Sequence, residues 1–384
     1  MTIEHDLIRL DVIRHDVIRH DVIRLDVIRL DVIRLDGDKL VCDLEFAIMP
    51  ASSGTERNAM LLNLIRSQFA LTLFIISASI GLSHAGEGQL RVAKDDAELR
   101  AWLQNMVWHH QYSTEEIEQV TGLDESQQKT RLTEFGISQK TRPPRDPIQL
   151  LMLPYPGGRH PRIGFLDGAV DPQRESKLSV FCPWDDHSYV VMDIPEAIWS
   201  NLGLTYLAHT HVNTIWDLQG KSLEQQEWQH STDGSLTMRR ILPNGIEFGT
   251  TAKAISDHIE MSMYLKNGTD QPLSDLRVQN CVMLKGAEGF DQQTNDNKKF
   301  VDGYAVAGSA EGTRWIISGW NPIHRAWGNA PCPCLHSDPK FPDCGPGETQ
   351  HLRGWLSFYH GKDIDAELKR IDATGWKVTP KSAD

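Results

Sequence analysis

His258–Phe290 reads HIEMSMYLKNGTDQPLSDLRVQNCVMLKGAEGF, which is a strand, a turn at Asn267–Pro272 and a second strand. The turn contains an Asn-Gly pair and a proline, residue types that favour chain reversal. This stretch therefore predicts an antiparallel hairpin near the centre of the folded chain.

Similar strand-like segments lie on both sides of this hairpin. They are Ile148–Leu153, Lys177–Phe181, Tyr189–Asp193, Leu204–Ala208, Glu227–His230, Leu236–Ile241, Ile246–Thr251, His258–Lys266, Leu276–Leu284, Tyr304–Gly308, Arg314–Trp320 and His351–Tyr359. Turn sequences such as Asp233-Gly234 and Asn244-Gly245 separate them. About a dozen strands with little helical periodicity between them predict a mainly β protein, with one large antiparallel β-sandwich over residues 148–365.

Composition limits the classes of partner. The chain has 384 residues, with 40% hydrophobic and 24% charged residues, which is typical of a globular protein. Its net charge of −13 disfavours nucleic acid and anionic membranes as partners, because both require a basic surface. The 11 tryptophans fit either sugar-stacking platforms or ordinary large core residues.

The N-terminal region contains two segments that differ from the rest. Residues 1–48 hold six copies of a five-residue repeat between Asp6 and Leu35, a period that fits neither a helix nor a strand. We interpret this segment as low-complexity sequence upstream of the true start, which we place at Met49 or Met60.

Residues 49–85 have the pattern of a signal peptide. Arg57 and Arg66 precede an apolar run at Phe69–Leu82, and Ser83-His84-Ala85 follows as a cleavage sequence. The apolar run is too short for a comfortable membrane span. The sequence therefore predicts a secreted or periplasmic protein with no membrane span after cleavage.

Residues 93–140 are predicted to form a small helical module. Ser113 and Asp124 are expected helix N-caps, and Gly122 and Gly136 are expected helix ends. The spacing resembles a helix-turn-helix, but Thr114–Ile137 holds six acidic residues and only two basic ones, which disfavours DNA binding. We expect this module to pack or to dock a protein partner. A Pro-rich linker follows at 141–147, and a C-terminal tail is expected at 366–384.

The hairpin turn and the last strand together resemble the galactose-mutarotase-like supersandwich proteins. The similar features are the order strand, Asn267–Leu273, strand, and the closing Pro346–Thr349 followed by HLRGWLSFY. The resemblance implies a supersandwich that binds or processes carbohydrate. Where those proteins carry a catalytic histidine, this chain has Gln279 and Asn280, so the resemblance implies substrate contact there and not aldose epimerisation. The chain also resembles a family of secreted bacterial proteins, through PGGRHPRIGF and PCPCLHSDPKFPDC, without an implied activity.

The segment Thr205–Asp217, TYLAHTHVNTIWD, sets two histidines on one strand face. His209 and His211 are two residues apart and therefore point the same way. This spacing suits a divalent metal, and the further ligand could be Asp217, His187, His258 or His336. The alternatives are sugar contacts beside Trp216 and a plain polar face.

Other segments offer candidate binding or catalytic groups. Arg159, His160 and Arg162 lie in one turn and could clamp a carboxylate such as that of a uronic acid; the alternative is a loop held to nearby acids. Glu260 is a candidate general base on the same strand face as His258. Asp185, Asp186 and His187 form a loop suited to acid–base chemistry, to calcium or simply to solvent.

Five cysteines remain after signal cleavage. Export favours disulfides, and we predict that Cys334 pairs with Cys344. The alternative is a zinc cluster of Cys332, Cys334, His336 and Asp338 with Cys344, because this spacing also suits a metal.

These observations give three functional hypotheses. The first is a secreted protein that binds or processes carbohydrate. The second is a metal-dependent enzyme centred on His209 and His211, and the third is a non-catalytic interaction protein of the envelope. No phosphate-binding loop or nucleophile elbow occurs in the sequence.

Overall fold

The computed structural model describes residues 9–11, 29–36, 39–43, 90, 92–163, 175–209 and 212–378. It divides into two units, 1–84 and 85–384. In the first unit, β1 (Arg9–Asp11), β2 (Arg29–Asp36) and β3 (Lys39–Asp43) form a three-stranded antiparallel sheet. The predicted signal peptide lies outside the described residues.

The second unit begins with short helices. They are α1 (Asp96–Gln104), a π-helical turn (Asn105–His110), α2 (Thr114–Thr121), α3 (Glu125–Phe135) and a 3₁₀ turn (Gln139–Thr141). Ser113 and Asp124 each form a capping box, and the glycines that end α2 and α3 have left-handed backbone conformations. The predicted caps and helix ends are confirmed.

An eight-stranded antiparallel sheet forms one layer of the sandwich. Its order is β13-β14-β15-β18-β11-β10-β9-β8. The strands are β8 (Gln229–His230), β9 (Leu236–Ile241), β10 (Glu247–Ile255), β11 (His258–Lys266), β13 (Lys298–Val301), β14 (Tyr304–Gly308), β15 (Arg314–Asn321) and β18 (Thr349–His360).

A seven-stranded antiparallel sheet forms the other layer. Its order is β16-β17-β12-β6-β5-β4, with β7 also paired to β6. The strands are β4 (Met152–Pro154), β5 (Lys177–Phe181), β6 (Tyr189–Ser200), β7 (Gly203–Leu207), β12 (Val278–Met283), β16 (Ile323–Asn329) and β17 (Cys334–Pro339).

The two sheets enclose the largest apolar core, and helices also pack on part of each outer face. The helical region lies over the outer face of the seven-stranded sheet, where His110 contacts Phe181 and Tyr189. Helix α4 (Ile364–Ala373) packs on Trp355 and Ile317 of the eight-stranded sheet. Both faces of the sheet are therefore buried along β5 and β17, in which every residue is buried, whereas the edge strand β16 stays partly exposed.

The mainly β prediction, with antiparallel sheets and a small helical region before them, is confirmed. The sequence did not predict β1, β2, β3, β13, β16 or β17, and the predicted C-terminal tail begins inside α4. No helix among the described residues is long and apolar enough to cross a bilayer.

Candidate functional site

The outer face of the seven-stranded sheet carries a row of buried polar side chains. Along β6, Val190 and Met192 point into the core between the sheets, so Val191 and Asp193 point to the opposite face. Register places Lys177 of β5 and Cys281 of β12 beside Asp193. A strand that looks apolar in sequence thus delivers a charged group to the covered face.

Asp193 belongs to a buried ion network centred on His209. The Nε2 atom of His209 lies 3.2 Å from Asp193 Oδ2, 3.3 Å from Glu196 Oε1 and 3.0 Å from the Arg162 guanidinium. Lys177 Nζ lies 3.2 Å from Asp193 Oδ2, and Arg162 donates to Glu196 at 2.7 Å. The positive and negative groups are present together, as buried ions require.

This network lowers the pKa of both acids. Burial acts to raise the pKa of Glu196, but the Arg162 guanidinium and His209 outweigh it and hold that pKa well below the usual range. Lys177 and His209 lower the pKa of Asp193 in the same way. His209 therefore faces two carboxylates and a guanidinium, and the guanidinium occupies space next to the nitrogen that a metal would need.

The predicted arginine clamp is divided between two glutamates. Arg159 forms a two-pronged ion pair with Glu116 of α2, at 2.5 and 2.7 Å, whereas Arg162 pairs with Glu196. Lys285 donates to the backbone oxygen of His160 at 2.8 Å. The two guanidinium groups thus bind different partners within the chain and do not converge on a common ligand.

A thiol–imidazole group adjoins the ion network. One potential ligand atom from each of Cys281, Cys334 and His336 lies within 4.8 Å of the others, and all three side chains are buried. Cys334 Sγ is 3.2 Å from His336 Nε2, and His336 Nδ1 is 3.9 Å from Glu196 Oε2. His209 and His336 therefore lie on two sides of Glu196, with the thiols next to His336. Cysteine and histidine together favour zinc and related metals.

The charged and polar groups around His336 set the pKa of its imidazole. Burial acts to lower the pKa of His336, but Cys334, Glu196 and Asp338 outweigh burial and raise that pKa to about 9. Burial also raises the pKa of the Cys281 thiol. The ring of Trp327 stacks on His336 with centroids 4.0 Å apart, which fixes the orientation of the imidazole.

A cleft of about 330 Å³ opens beside the turn that carries Arg159. Its lining residues are His110, Gln111, Arg159, His160, Pro161, His187, Tyr189, Val191, Lys285 and Gly286. The lining includes two permanent cations, three histidines and a tyrosine, but no carboxylate. Burial lowers the pKa of His110 to about 3 and raises the pKa of Tyr189, so both are neutral near pH 7.

An exposed histidine–carboxylate group stands at the rim of this cleft. His187 Nε2 is 2.8 Å from Glu288 Oε2, and His187 Nδ1 is 3.5 Å from Asp185 Oδ1. The hydrogen bond to Glu288 raises the pKa of His187. The sequence placed Asp185 and His187 in one loop, and the fold adds Glu288 from a distant segment. Such a group can transfer protons or hold a cation.

A second, larger cleft of about 530 Å³ lies on the helical region. It is lined mainly by α3 and the turn that follows, with Thr114, Gln128, Leu132 and Thr141 among its residues. Its lining holds Glu125 and Lys129 but no histidine, arginine or aromatic side chain. The smaller cleft therefore offers more groups for binding and chemistry.

The remaining predicted residues are dispersed over the sandwich. Asp217 accepts hydrogen bonds from the backbone and side chain of Thr214, both at 2.7 Å, and Trp216 is buried with its Nε1 donating to Thr205. Glu260 is exposed on β11 of the other sheet, 3.8 Å from His258 Nε2. Trp216 thus has no free indole face for a sugar.

Two further predicted residues, Gln279 and Asn280, lie on β12. Gln279 is half-buried, and Asn280 is buried with its backbone N donating to Asp338 at 3.2 Å. His211 lies outside the described residues.

The predicted Cys334–Cys344 disulfide is not formed. All five cysteines of the second unit are free thiols. Cys344 belongs to the core between the sheets, whereas Cys334 belongs to the cluster on the outer face of the seven-stranded sheet. This corrects the disulfide prediction: Cys334 starts a strand that carries it away from the loop of Cys344.

Sequence reasoning did not single out Asp193, Glu196, Lys177 or Glu116. An acid inside the apolar run YVVMDIPEAIW was the available signal for Asp193, because an isolated charge there must be buried and paired. The other three gain their roles only from partners that are distant in sequence.

Comparisons with known proteins give remote likenesses. No family model matches the chain, and no curated protein matches it. Among solved structures, the Slr1438 protein of Synechocystis sp. PCC 6803 has a TM-score of 0.28 and 10% identity, covering 48% of this chain and 88% of its own. Likenesses this remote assign neither a fold family nor an activity.

Two further solved structures are similar at the same level. A polysaccharide lyase has a TM-score of 0.31 and 11% identity, with 60% of this chain and 35% of the lyase covered. A candidate aldose 1-epimerase from Klebsiella pneumoniae subsp. pneumoniae MGH 78578 has a TM-score of 0.25 and 9% identity, with 55% and 61% covered. This chain therefore matches about a third of the lyase, and the supersandwich resemblance stays a prediction.

Proposed function

We propose that this protein binds or processes an acidic carbohydrate in the cleft beside Arg159. The observation that carries the proposal is the lining of that cleft, which has two permanent cations and several neutral donors and acceptors but no carboxylate. Sugar hydroxyls require such a mixture of donors and acceptors, and a uronic acid also requires a positive charge.

Lys285 is the cation best placed to meet a ligand. Its side chain is exposed at the cleft, whereas Arg159 is half-buried and pairs with Glu116. Lys285 donates to the backbone oxygen of His160 and acts electrostatically on Glu116 as well, but its exposed ammonium group can also reach a ligand carboxylate in the cleft. Arg159 then contributes charge, and Tyr189 and His160 contribute polar contacts.

The His187–Glu288 pair supports processing as well as binding. It stands at the rim of the same cleft, and its histidine is exposed enough to exchange protons with a bound molecule. A histidine with a carboxylate partner is a common general acid or base. If His187 transfers no proton, the cleft binds the sugar and leaves it chemically unchanged.

The test is calorimetric titration of the full chain with uronic-acid oligosaccharides and with neutral oligosaccharides of the same length. We expect binding of the acidic series, weakened by added salt, and roughly tenfold weaker binding in Lys285→Gln. Lys369→Gln is the matched control, because Lys369 is an exposed lysine on α4, which covers the other sheet.

Product analysis by mass spectrometry separates processing from binding. If chain length or unsaturation of the acidic oligosaccharide changes with wild-type protein, the change should be lost in His187→Ala. Equal affinity of wild type and Lys285→Gln for the acidic series, or no binding of any oligosaccharide, would contradict the proposal.

A further inference from the structure

We propose that Cys281, Cys334 and His336, with Cys332 as a fourth ligand, form a structural zinc site on the covered face of the seven-stranded sheet. The site is separate from the carbohydrate cleft and does not depend on the proposed function. It joins β12, β17 and the segment that leads into β17.

The spacing of the ligand atoms fits a tetrahedral metal. Three of them, from Cys281, Cys334 and His336, lie within 4.8 Å of one another. Zinc–sulfur bonds of about 2.3 Å place tetrahedral ligand atoms roughly 3.8 Å apart, so no pair among the three has to close by more than about 1 Å. Alternation along β17 puts Cys334 and His336 on one face, and register puts Cys281 beside them.

Cys332 is the natural fourth ligand. Cys332 interacts electrostatically with Cys334 and Cys281, and it belongs to the same buried cluster as both of them. The resulting set of three cysteines and one histidine is a common structural zinc shell. The four side chains are each at most 2% exposed, so the shell is closed to substrate.

The orientation of His336 matches that of a metal ligand. Its Nε2 faces the thiols, whereas its Nδ1 faces carboxylate oxygens of Glu196 and Asp338 at 3.9 and 3.8 Å. Histidines that bind metals usually direct the other ring nitrogen to a carboxylate in this way. Nδ1 has no hydrogen-bond partner in the structure although it is buried, and a small movement toward Glu196 would provide one.

The surroundings hold this arrangement and balance its charge. Asp338 accepts hydrogen bonds from Arg325 at 2.8 Å and from Trp327 at 2.7 Å, and Trp327 also stacks on the imidazole. Arg162 interacts electrostatically with Cys281, and Lys298 with Cys332 and Cys334. Three thiolates on one zinc ion leave a net negative charge, and these two cations offset it.

The rival use of these residues is a disulfide between two of the three thiols. Such a bond would leave Nε2 of His336 buried and directed at sulfur, with neither a metal ion nor a good proton acceptor next to it. A zinc ion uses all four groups at once. The proposal therefore predicts reduced, metal-bound cysteines.

The test is native mass spectrometry and elemental analysis of the full chain, purified without a histidine tag. We expect one zinc ion per chain, and at least tenfold weaker zinc retention against a chelator in His336→Ala and in Cys334→Ala. Cys182→Ala is the matched control, because Cys182 is a buried free thiol outside the cluster, and it should keep full zinc.

Cobalt substitution keeps the proposal testable if those variants fail to fold. The wild-type chain, refolded under reducing conditions with cobalt alone, should show thiolate-to-cobalt absorption of a tetrahedral complex. A mass lower by two hydrogens with no metal would identify a disulfide and overturn the proposal. Absence of metal after reduction and reconstitution with zinc or cobalt would overturn it as well.

Discussion

At the scale of single residues, the covered outer face of the seven-stranded sheet contains buried ions that stabilise one another. Asp193 interrupts the apolar strand YVVMDIPEAIWS, and its buried carboxylate lies 3.2 Å from both Lys177 and His209. Burying an ion costs free energy that only close partners offset. Removing one of these ions should therefore lower the free energy of unfolding by more than its ion pair contributes, because its partner stays buried without a counter-ion.

We predict that Asp193→Asn lowers the free energy of unfolding by about 3–5 kcal/mol at neutral pH, because Lys177 is left buried without its carboxylate. The pKa of Asp193 is lowered in the folded protein. Such a group contributes stability above its unfolded pKa of about 3.9, and this contribution is lost as the pH falls through the folded value. The difference between variant and wild type in urea titrations should therefore shrink below about pH 4.

Two comparisons test the reason for this loss. Lys177→Met combined with Asp193→Leu removes both ions and should recover most of the stability. Asp233→Asn, which breaks the exposed pair with Lys253, should change stability little. A loss below about 1 kcal/mol in Asp193→Asn would show that the network is not held by mutual pairing.

At the scale of elements, one close approach joins the helical region to the turn beside the cleft. Gly158 has a φ of +73°, and a Cβ built there would lie 2.5 Å from Val120 Cγ2 and 2.6 Å from the Glu116 backbone oxygen, both in α2. The next residue, Arg159, pairs with the Glu116 side chain. Helix α2 and the cleft turn are therefore positioned together.

We predict that Gly158→Ala destabilises the protein by about 2–4 kcal/mol, because it combines left-handed strain with a clash against backbone atoms. Gly136→Ala is the matched control. Gly136 has a φ of +65° but nothing within 4 Å of the added Cβ, so only the conformational cost of about 1–2 kcal/mol applies. Thermal unfolding measures both variants, and equal losses would contradict the close approach.

At the scale of the whole molecule, the second unit has four layers of secondary structure with a core between its two sheets. The order is the helical region, the seven-stranded sheet, the central core, the eight-stranded sheet and α4. The four apolar clusters contain residues from Leu99 to Trp376. The sandwich therefore buries apolar surface between its sheets and also under the helices that cover part of each outer face. This unit has the core that independent folding requires.

We predict that the mature protein begins at Gly86 and that residues 86–384 unfold at the same temperature as the full chain. The physical reason is that the apolar clusters lie within Leu99–Trp376 and the cleavage pattern ends at Ala85. N-terminal sequencing of protein exported by a bacterial host tests the first part, and calorimetry tests the second. An intact N-terminal repeat in exported protein would contradict it.

Local sequence patterns were sufficient to predict the fold class and the limits of several strands. Lys177–Phe181, Leu236–Ile241, His258–Lys266 and Tyr304–Gly308 were predicted with the limits that the structure has. The helix caps at Ser113 and Asp124 were predicted as well. These features depend on neighbouring residues, since caps, turns and alternation act over a few positions.

Which side chains come into contact depends on the way distant segments pack. The sequence predicted a disulfide between Cys334 and Cys344, yet Cys334 begins β17, and strand pairing brings Cys281 of β12 close to it. In the same way Glu116 meets Arg159, and Glu196 meets both His209 and His336. Strand register and the cover over the outer face are set by packing between distant segments, and no local pattern contains that information.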